Sequence, residues 1–211
     1  MSCVGKPGIF VTFEGGDGAG KSTQTELLAA WIQSDAGREV VRTFEPGDTP
    51  VGQKIRQLVL HGDNLAPRAE ALLFAADRAH HVAAVVRPAL ERGAVVLCDR
   101  YIDSSVAYQG GGRELSAAEV RELSLWATQN LVPDLTVVLD VDPRVALRRR
   151  GDSPDRMERE SLDFHDAVRE SFLEQARAES QRYLVVDATA PVGEIHAQIR
   201  GRIAPLLGVP A

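Results

Sequence analysis

Cysteine is scarce in this chain. Cys3 and Cys98 are its two thiols in 211 residues. Two thiols cannot build a disulfide framework or a four-cysteine zinc site. Cys98 ends an apolar run and reads as a small buried hydrophobe. Met1 to Gly8 holds no apolar core of signal-peptide length, and no later stretch is apolar for long enough to span a bilayer. A reduced, cytoplasmic compartment is the expectation. A basic excess is also missing: the formal net charge is −6. That argues against nucleic acid or a membrane surface as partner. Repeats, low-complexity tracts and linkers are absent, so the chain reads as one domain over 1–211. A domain this long buries most of the apolar surface its unfolded chain exposes and needs no staples.

What is present is an alternation of strand-like and helix-like segments. Strands are expected at Ile9–Phe13, Glu39–Thr43, Ala94–Cys98, Leu135–Val141 and Tyr183–Val186. Helices are expected over Lys21–Ala36, Val51–Leu60, Pro67–Arg92 with a bend at Pro88, Ser116–Asn130, a segment opened by Asp142-Pro143, Arg159–Ser180 and Pro191–Leu206. Ser116 and Glu119 match a capping box. Strands alternating with helices imply parallel pairing through right-handed crossovers. The expected fold is therefore α/β: a three-layer sandwich with a five-stranded parallel sheet and helices on both faces. Ligands then gather at the carboxyl ends of the strands.

Gly15-Gly16-Asp17-Gly18-Ala19-Gly20-Lys21-Ser22 fits the phosphate-loop (P-loop) pattern G-x-x-x-x-G-K-[ST] at every fixed position, with Thr23 following. A strand precedes it and a helix follows. Glycines let the loop curl so that amide hydrogens point at phosphate oxygens, and the helix N-terminus adds positive potential. Lys21 is expected on the β- and γ-phosphates and the Ser22 hydroxyl on Mg2+. This establishes nucleoside triphosphate binding and no more. An Asn-Lys-x-Asp guanine-reading tetrapeptide is missing, which argues against a GTPase.

The second substrate must be sought elsewhere. Asp99 and Arg100 follow an apolar strand, so Asp99 is placed to hold Mg2+ or its waters, with Arg100 beside it at the sheet edge. A surface ion pair is the plainer reading of the same two residues. Phe74 and Arg78 are four apart on an expected helix and project from one face. Alone, such a pair is more often a core aromatic beside a surface arginine. With the other motifs it reads as a ring that stacks on a base and a guanidinium that bonds its edge.

At this point the chain resembles thymidylate kinases over nearly its whole length. The matching stretches are Phe13 through Thr23, Glu45-Pro46-Gly47, Leu72 through Arg78, Asp99-Arg100-Tyr101, Ala107-Tyr108-Gln109-Gly110 and Leu139-Asp140-Val141. The resemblance implies transfer of the γ-phosphoryl group of ATP to thymidine monophosphate (dTMP), giving dTDP on the way to dTTP, with Mg2+ as cofactor and a homodimer as the assembly. It implies that Asp17 contacts the deoxyribose 3′-hydroxyl or assists Mg2+. Arg56 and Arg100 would hold the dTMP phosphate, Phe74 would stack on thymine and Arg78 would donate to a thymine carbonyl. Ser105 would lie near the base. Tyr108 would crowd the 2′ position, and Gln109 is a weaker candidate for the same pocket.

Arg148-Arg149-Arg150-Gly151-Asp152-Ser153-Pro154-Asp155-Arg156 lies where the family carries a mobile lid, here about 148–158. A solvated basic turn is the plainer meaning of such a run. Helical neighbours point about 100° apart, so all three arginines of the triplet cannot face one phosphate. Arg149 and Arg156 are the expected catalytic arginines. The phosphate loop has Gly18 where some members of the family carry arginine, so the charge must come from the lid. Phe44 stands where many bacterial members have arginine, which leaves that arginine's job unassigned. Two alternatives remain open: a P-loop kinase of another nucleoside or nucleotide, and a protein that binds ATP as a switch and transfers nothing.

Overall fold

The computed structural model describes residues 7–110, 115–149 and 155–210. Five strands form one sheet in the order β2-β3-β1-β4-β5. They are β1 (Ile9–Glu14), β2 (Val40–Phe44), β3 (Val95–Asp99), β4 (Leu135–Asp140) and β5 (Tyr183–Asp187). All four pairings are parallel. The middle strands β1, β3 and β4 are buried almost throughout, as their near-continuous apolar runs require, whereas the edge strands β2 and β5 are partly exposed.

Side-chain alternation along the strands sorts the core into two layers. Val11, Phe13, Val95 and Leu97 face Leu28 and Ile32 of α1 (Lys21–Asp35) and Ile199 and Ile203 of α9 (Val192–Leu207). Phe10, Val96 and Cys98 face the other way, towards Val82, Val86, Tyr101 and Val120. A third cluster joins Tyr108 and Met157 to Val168 and Phe172 of α8 (Leu162–Ala178).

Most elements lie where the sequence places them. The long helix is α3 (Pro67–His81) and α4 (Arg87–Glu91) joined by a π-helical turn over Val82–Val86. Near Pro88, which has no N–H to give, Arg87 N reaches back five residues to Val82 O. Helix α6 (Ala117–Ala127) starts with the capping box, both reciprocal bonds made, but it stops short of Asn130. Gln129 and Asn130 have φ of 50° and 57°, which ends the helix. Helix α8 begins three residues later than expected, because the Ser161 hydroxyl accepts from Phe164 N and caps it there. The chain before it is spoken for: Arg156 N donates to Leu60 O at the end of α2 (Pro50–His61), and Asp155 and Glu158 cap one another.

Two short elements have no counterpart in the sequence reading: α5 (Ile102–Ser105) and a π-helical turn over Val106–Gly110. Helix α7 (Pro143–Arg149) opens with Asp142 Oδ1 accepting from Arg144 N at 2.7 Å. The expected lid residues Arg150, Gly151, Asp152, Ser153 and Pro154 lie outside the described residues, as does Cys3. Among the described residues no helix is long and apolar enough to cross a membrane.

Candidate active site

Sheet register explains why distant motifs converge. Phe13 on β1 pairs with Asp99 on β3, and Asp99 pairs with Phe44 on β2. The loops leaving β1, β3 and β2 therefore emerge side by side at the carboxyl edge. The first carries Gly15–Gly20, the second Arg100, and the third Glu45-Pro46-Gly47. The Glu45–Pro46 peptide is cis.

The phosphate loop runs over the end of β4. A Cβ on Gly15 would sit 2.5 Å from Leu139 O, and one on Gly18 would sit 2.6 Å from Ala146 O in α7. Gly18 also has φ of +80°. An arginine at this position would need both a disfavoured backbone and space already filled, so glycine is what the local packing admits. Lys21, the first residue of α1, folds back to donate to Gly15 O and Gly16 O, each at 3.1 Å. Burial and the neighbouring Arg100 lower its pKa, while Asp99, Asp17 and Glu14 oppose that shift.

Arg100 adopts φ of +69°, an uncommon conformation for a side chain of this size. Its backbone is fixed by Arg100 N donating to Phe13 O at 2.9 Å. Its guanidinium donates to Asp17 Oδ1 at 2.6 Å and to Ser104 Oγ at 3.0 Å, and lies 5.1 Å from the centre of the Tyr108 ring. Burial alone would raise the Asp17 carboxyl, but Arg100 and Lys21 hold it well below the usual carboxylate range. Tyr108 is pushed up to about 12 by burial and keeps its proton.

Beneath this pair lies Glu14, fully buried. It accepts from Tyr101 N at 2.8 Å and Ser104 Oγ at 2.5 Å, so it shapes the turn that carries Arg100. Burial and the nearby Asp103 raise its pKa to about 8.

Two cavities adjoin. One is lined by Gly18, Gly20, Lys21, Ser22, Thr23, Phe44, Asp99 and Arg149. The other is lined by Phe74, Arg78, Ser105, Tyr108 and Gln109 together with Leu60, Tyr101, Ser104 and Met157. Asp17, Glu45, Arg56 and Arg100 line both.

The eight residues expected at the second substrate, Asp17, Arg56, Phe74, Arg78, Arg100, Ser105, Tyr108 and Gln109, thus border one cavity. Gln109 is partly committed, since its Nε2 donates to Glu70 Oε1 at 3.1 Å. Arg149 borders the phosphate-loop cavity, with Nη1 donating to Ala188 O at 3.0 Å. Arg156 does not reach either cavity's lining. Its guanidinium donates to Val59 O and to Glu70, tying it to α2 and α3.

Phe44, the departure from the family pattern, lies with Arg56 Cζ 5.8 Å from its ring centre. The ring flanks Arg56, which also donates to Pro46 O at 2.7 Å. Sequence reasoning assigned no role to Glu45, although it stands in a matched motif. Its carboxylate holds Arg78 at 2.7 Å, both side chains almost fully buried. Ser104, Leu60 and Met157 were missed as well. Ser104 carried a signal, standing four residues after Arg100 beside the matched Asp99-Arg100-Tyr101 stretch.

Asp99 and Ser22, the expected Mg2+ ligands, both line the phosphate-loop cavity, where Asp17, Glu45 and Thr23 also present side-chain oxygens. Among the described residues no group of three or more His, Cys, Asp or Glu side chains is placed to hold a metal by itself. One carboxylate and one hydroxyl, completed by substrate phosphates and water, is the donor set that suits Mg2+ rather than an all-protein metal cage.

Comparison with known proteins agrees with this geometry. The thymidylate kinase family model matches residues 13–199. The chain is 62% identical over 203 residues to a thymidylate kinase of Leifsonia xyli subsp. xyli, covering 94% of this chain and 95% of that protein. It is 60% identical over 209 residues to the thymidylate kinase of Clavibacter michiganensis subsp. michiganensis, covering 97% and 98%. It is 50% identical over 195 residues to the thymidylate kinase of Deinococcus radiodurans, covering 91% and 94%. With a shared cavity edge at Asp17, Arg56 and Arg100 and likeness over almost its full length, the chain belongs to the thymidylate kinase family.

Proposed function

We propose that this chain transfers the γ-phosphoryl group of ATP to dTMP, giving dTDP for dTTP synthesis. The carrying observation is the junction of the two cavities, where Asp17, Arg56 and Arg100 border both. A donor phosphate on the loop and an acceptor phosphate on Arg56 and Arg100 meet there. Both reactants are polyanions. Two like unit charges about 4 Å apart repel by roughly 4 kcal/mol at an effective dielectric near 20. Lys21, Arg56, Arg100 and Arg149 answer that repulsion. Ser22 and Asp99 would hold Mg2+, which would supply further positive charge to the donor.

The acceptor phosphate is already ionised at neutral pH, so no strong general base is needed. The work of the chain is to hold donor and acceptor in line and to stabilise charge in a loose transition state. When phosphates enter, Lys21 exchanges its bonds to Gly15 O and Gly16 O for phosphate oxygens. Arg149, at the described start of the expected lid, borders the cavity those phosphates would enter. It is the catalytic arginine on this reading.

Base recognition follows from Phe74 and Arg78. The Arg78 guanidinium donates to Glu45 Oε2, Ser124 Oγ, Tyr101 O and Ser105 Oγ. These bonds use four of its five N–H hydrogens and leave one on Nη1 for a base carbonyl. Phe74 borders the same cavity as a stacking surface. Tyr108, neutral and buried, occupies the sugar end beside Asp17.

The protein acts as a homodimer in the cytoplasm on this reading. Trp126 on α6 is 80% exposed and Leu72 on α3 is 58% exposed. The two helices pack against each other, and each offers an exposed apolar side chain to a second copy. The test of function is turnover with Mg2+, ATP and dTMP. Formation of ADP and dTDP is expected, and ATP binding without transfer would favour the switch reading instead.

A further inference from the structure

His81, the last residue of α3, stands one helical turn after Arg78 and is 1% exposed. It does not border the substrate cavity. Its Nδ1 donates to Glu45 Oε1 at 2.7 Å, while Glu45 Oε2 accepts from Arg78 Nε at 2.7 Å. The carboxylate is thus gripped from both sides. On the far side of the ring, Nε2 lies 2.5 Å from Thr43 Oγ1. Thr43 Oγ1 is bonded in turn to Asp48.

Hydrogen counting decides what His81 is. A hydroxyl has one hydrogen, and an ionised carboxylate only accepts. The Thr43 hydrogen therefore goes to Asp48, and Thr43 Oγ1 must accept from His81 Nε2–H. With Nδ1–H already given to Glu45, both ring nitrogens carry hydrogens. We propose that His81 is a positioning residue for base recognition, a buried imidazolium that fixes Glu45 and through it the guanidinium of Arg78.

Glu45 comes from the end of β2, Asp48 from the loop that follows, and Asp77 from α3. Burial and Glu45 raise the Asp77 carboxyl to about 6, and His81 and Arg78 pull it down. Cys98 on β3 and Tyr101 after it lie near Glu45 and Arg78, both pushed upward by burial and therefore neutral. Two cations, Arg78 and His81, so face one fully buried anion, Glu45, with Asp48 and Asp77 at the margin. Without His81 one Glu45 oxygen loses its donor inside the protein, and the carboxylate is free to swing away from Arg78.

The inference rests on Arg78 as the base-reading group, so the experiment begins with the unmodified enzyme. Steady-state kinetics with dTMP and dCMP are compared for the wild type, His81→Leu and His81→Gln, together with 15N spectra of the full-length wild type labelled at histidine. His81→Gln identifies the ring signals of His81 and supplies an amide N–H for Glu45. In His81→Leu the KM for dTMP is expected to rise on the order of tenfold, with kcat and the KM for ATP within about twofold. The preference for dTMP over dCMP, which has an amino group where thymine has a carbonyl, should fall. His81→Gln should recover most of both. At neutral pH both His81 ring nitrogens should resonate as imidazolium N–H. A neutral tautomer in the wild type would overturn the proposal. So would a folded His81→Leu with wild-type KM and base preference. If His81→Leu fails to fold, His81→Gln and the spectra decide. A wild type that ignores dTMP would sink the kinase reading, while the spectra would still report the state of His81.

Discussion

Lys21 and Arg100 are both buried against Asp17, Asp99 and Glu14, and neither is needed for packing of the apolar layers. Lys21→Ala and Arg100→Ala should each lower kcat by about 100-fold or more while leaving the far-ultraviolet spectrum intact. Near-normal turnover in either variant would remove that residue from the reaction. Phe74→Ala should raise the KM for dTMP with little change in the KM for ATP, and an unchanged dTMP value would end its stacking role. Glu14 supplies a prediction about pH. Its folded pKa lies near 8 against an ordinary value of 4.5. Between those values the folded state binds a proton that the unfolded state has released, so stability falls as pH rises through that window. Glu14→Gln keeps the shape and removes the titration. Its urea midpoint should drop less than that of the wild type between pH 5.5 and pH 8.5, and equal slopes would contradict the assignment. The phosphate loop and the aromatic–arginine pair were legible in the sequence because their chemistry is local in spacing. The fate of Arg156 was not, because Glu70 and Val59 are brought to it only by the packing of α2 and α3. The same holds for Glu45 and His81, which meet across 36 residues of chain.

At the scale of elements, caps and strand pairing carry the frame. Ser116 and Glu119 close both bonds of the capping box at the start of α6. Ser116→Ala should cost about 1 kcal/mol in denaturant unfolding, with little effect on the KM for dTMP. A larger loss of activity than of stability would mean that α6 does more than support Ser124 behind Arg78. The five strands and most helices could be read from apolar runs and punctuation, since central parallel strands are buried on both faces. The turn Ile102–Ser105 and the π segments could not. Ile102-Asp103-Ser104-Ser105 has no helical period, and its shape is set by tertiary bonds such as Tyr183 Oη to Asp103 and Ser104 to Glu14. The late start of α8 likewise follows from the anchoring of Arg156 N on Leu60 O.

For the molecule as a whole, a formal net charge of −6 is compatible with a cationic site, because Lys21, Arg56, Arg100 and Arg149 gather at one cavity while other arginines, such as Arg144 and Arg177, pair with carboxylates elsewhere. Net charge argued against general nucleic-acid binding from the sequence alone, whereas the exposure of Trp126 on α6 and of Leu72 on α3 became visible only in the packed structure. Trp126→Glu should shift the sedimentation profile towards the monomer, and an unchanged profile would place any dimer contact elsewhere. The central claim is phosphoryl transfer to dTMP at the junction of two cavities. It is tested most directly by measuring ADP release with Mg2+ and ATP against dTMP, dUMP, dCMP, dGMP, AMP and thymidine. The account predicts the highest kcat/KM with dTMP, weaker turnover with dUMP, and little with the rest. Preference for any other acceptor, or ATP binding with no acceptor used, would contradict it.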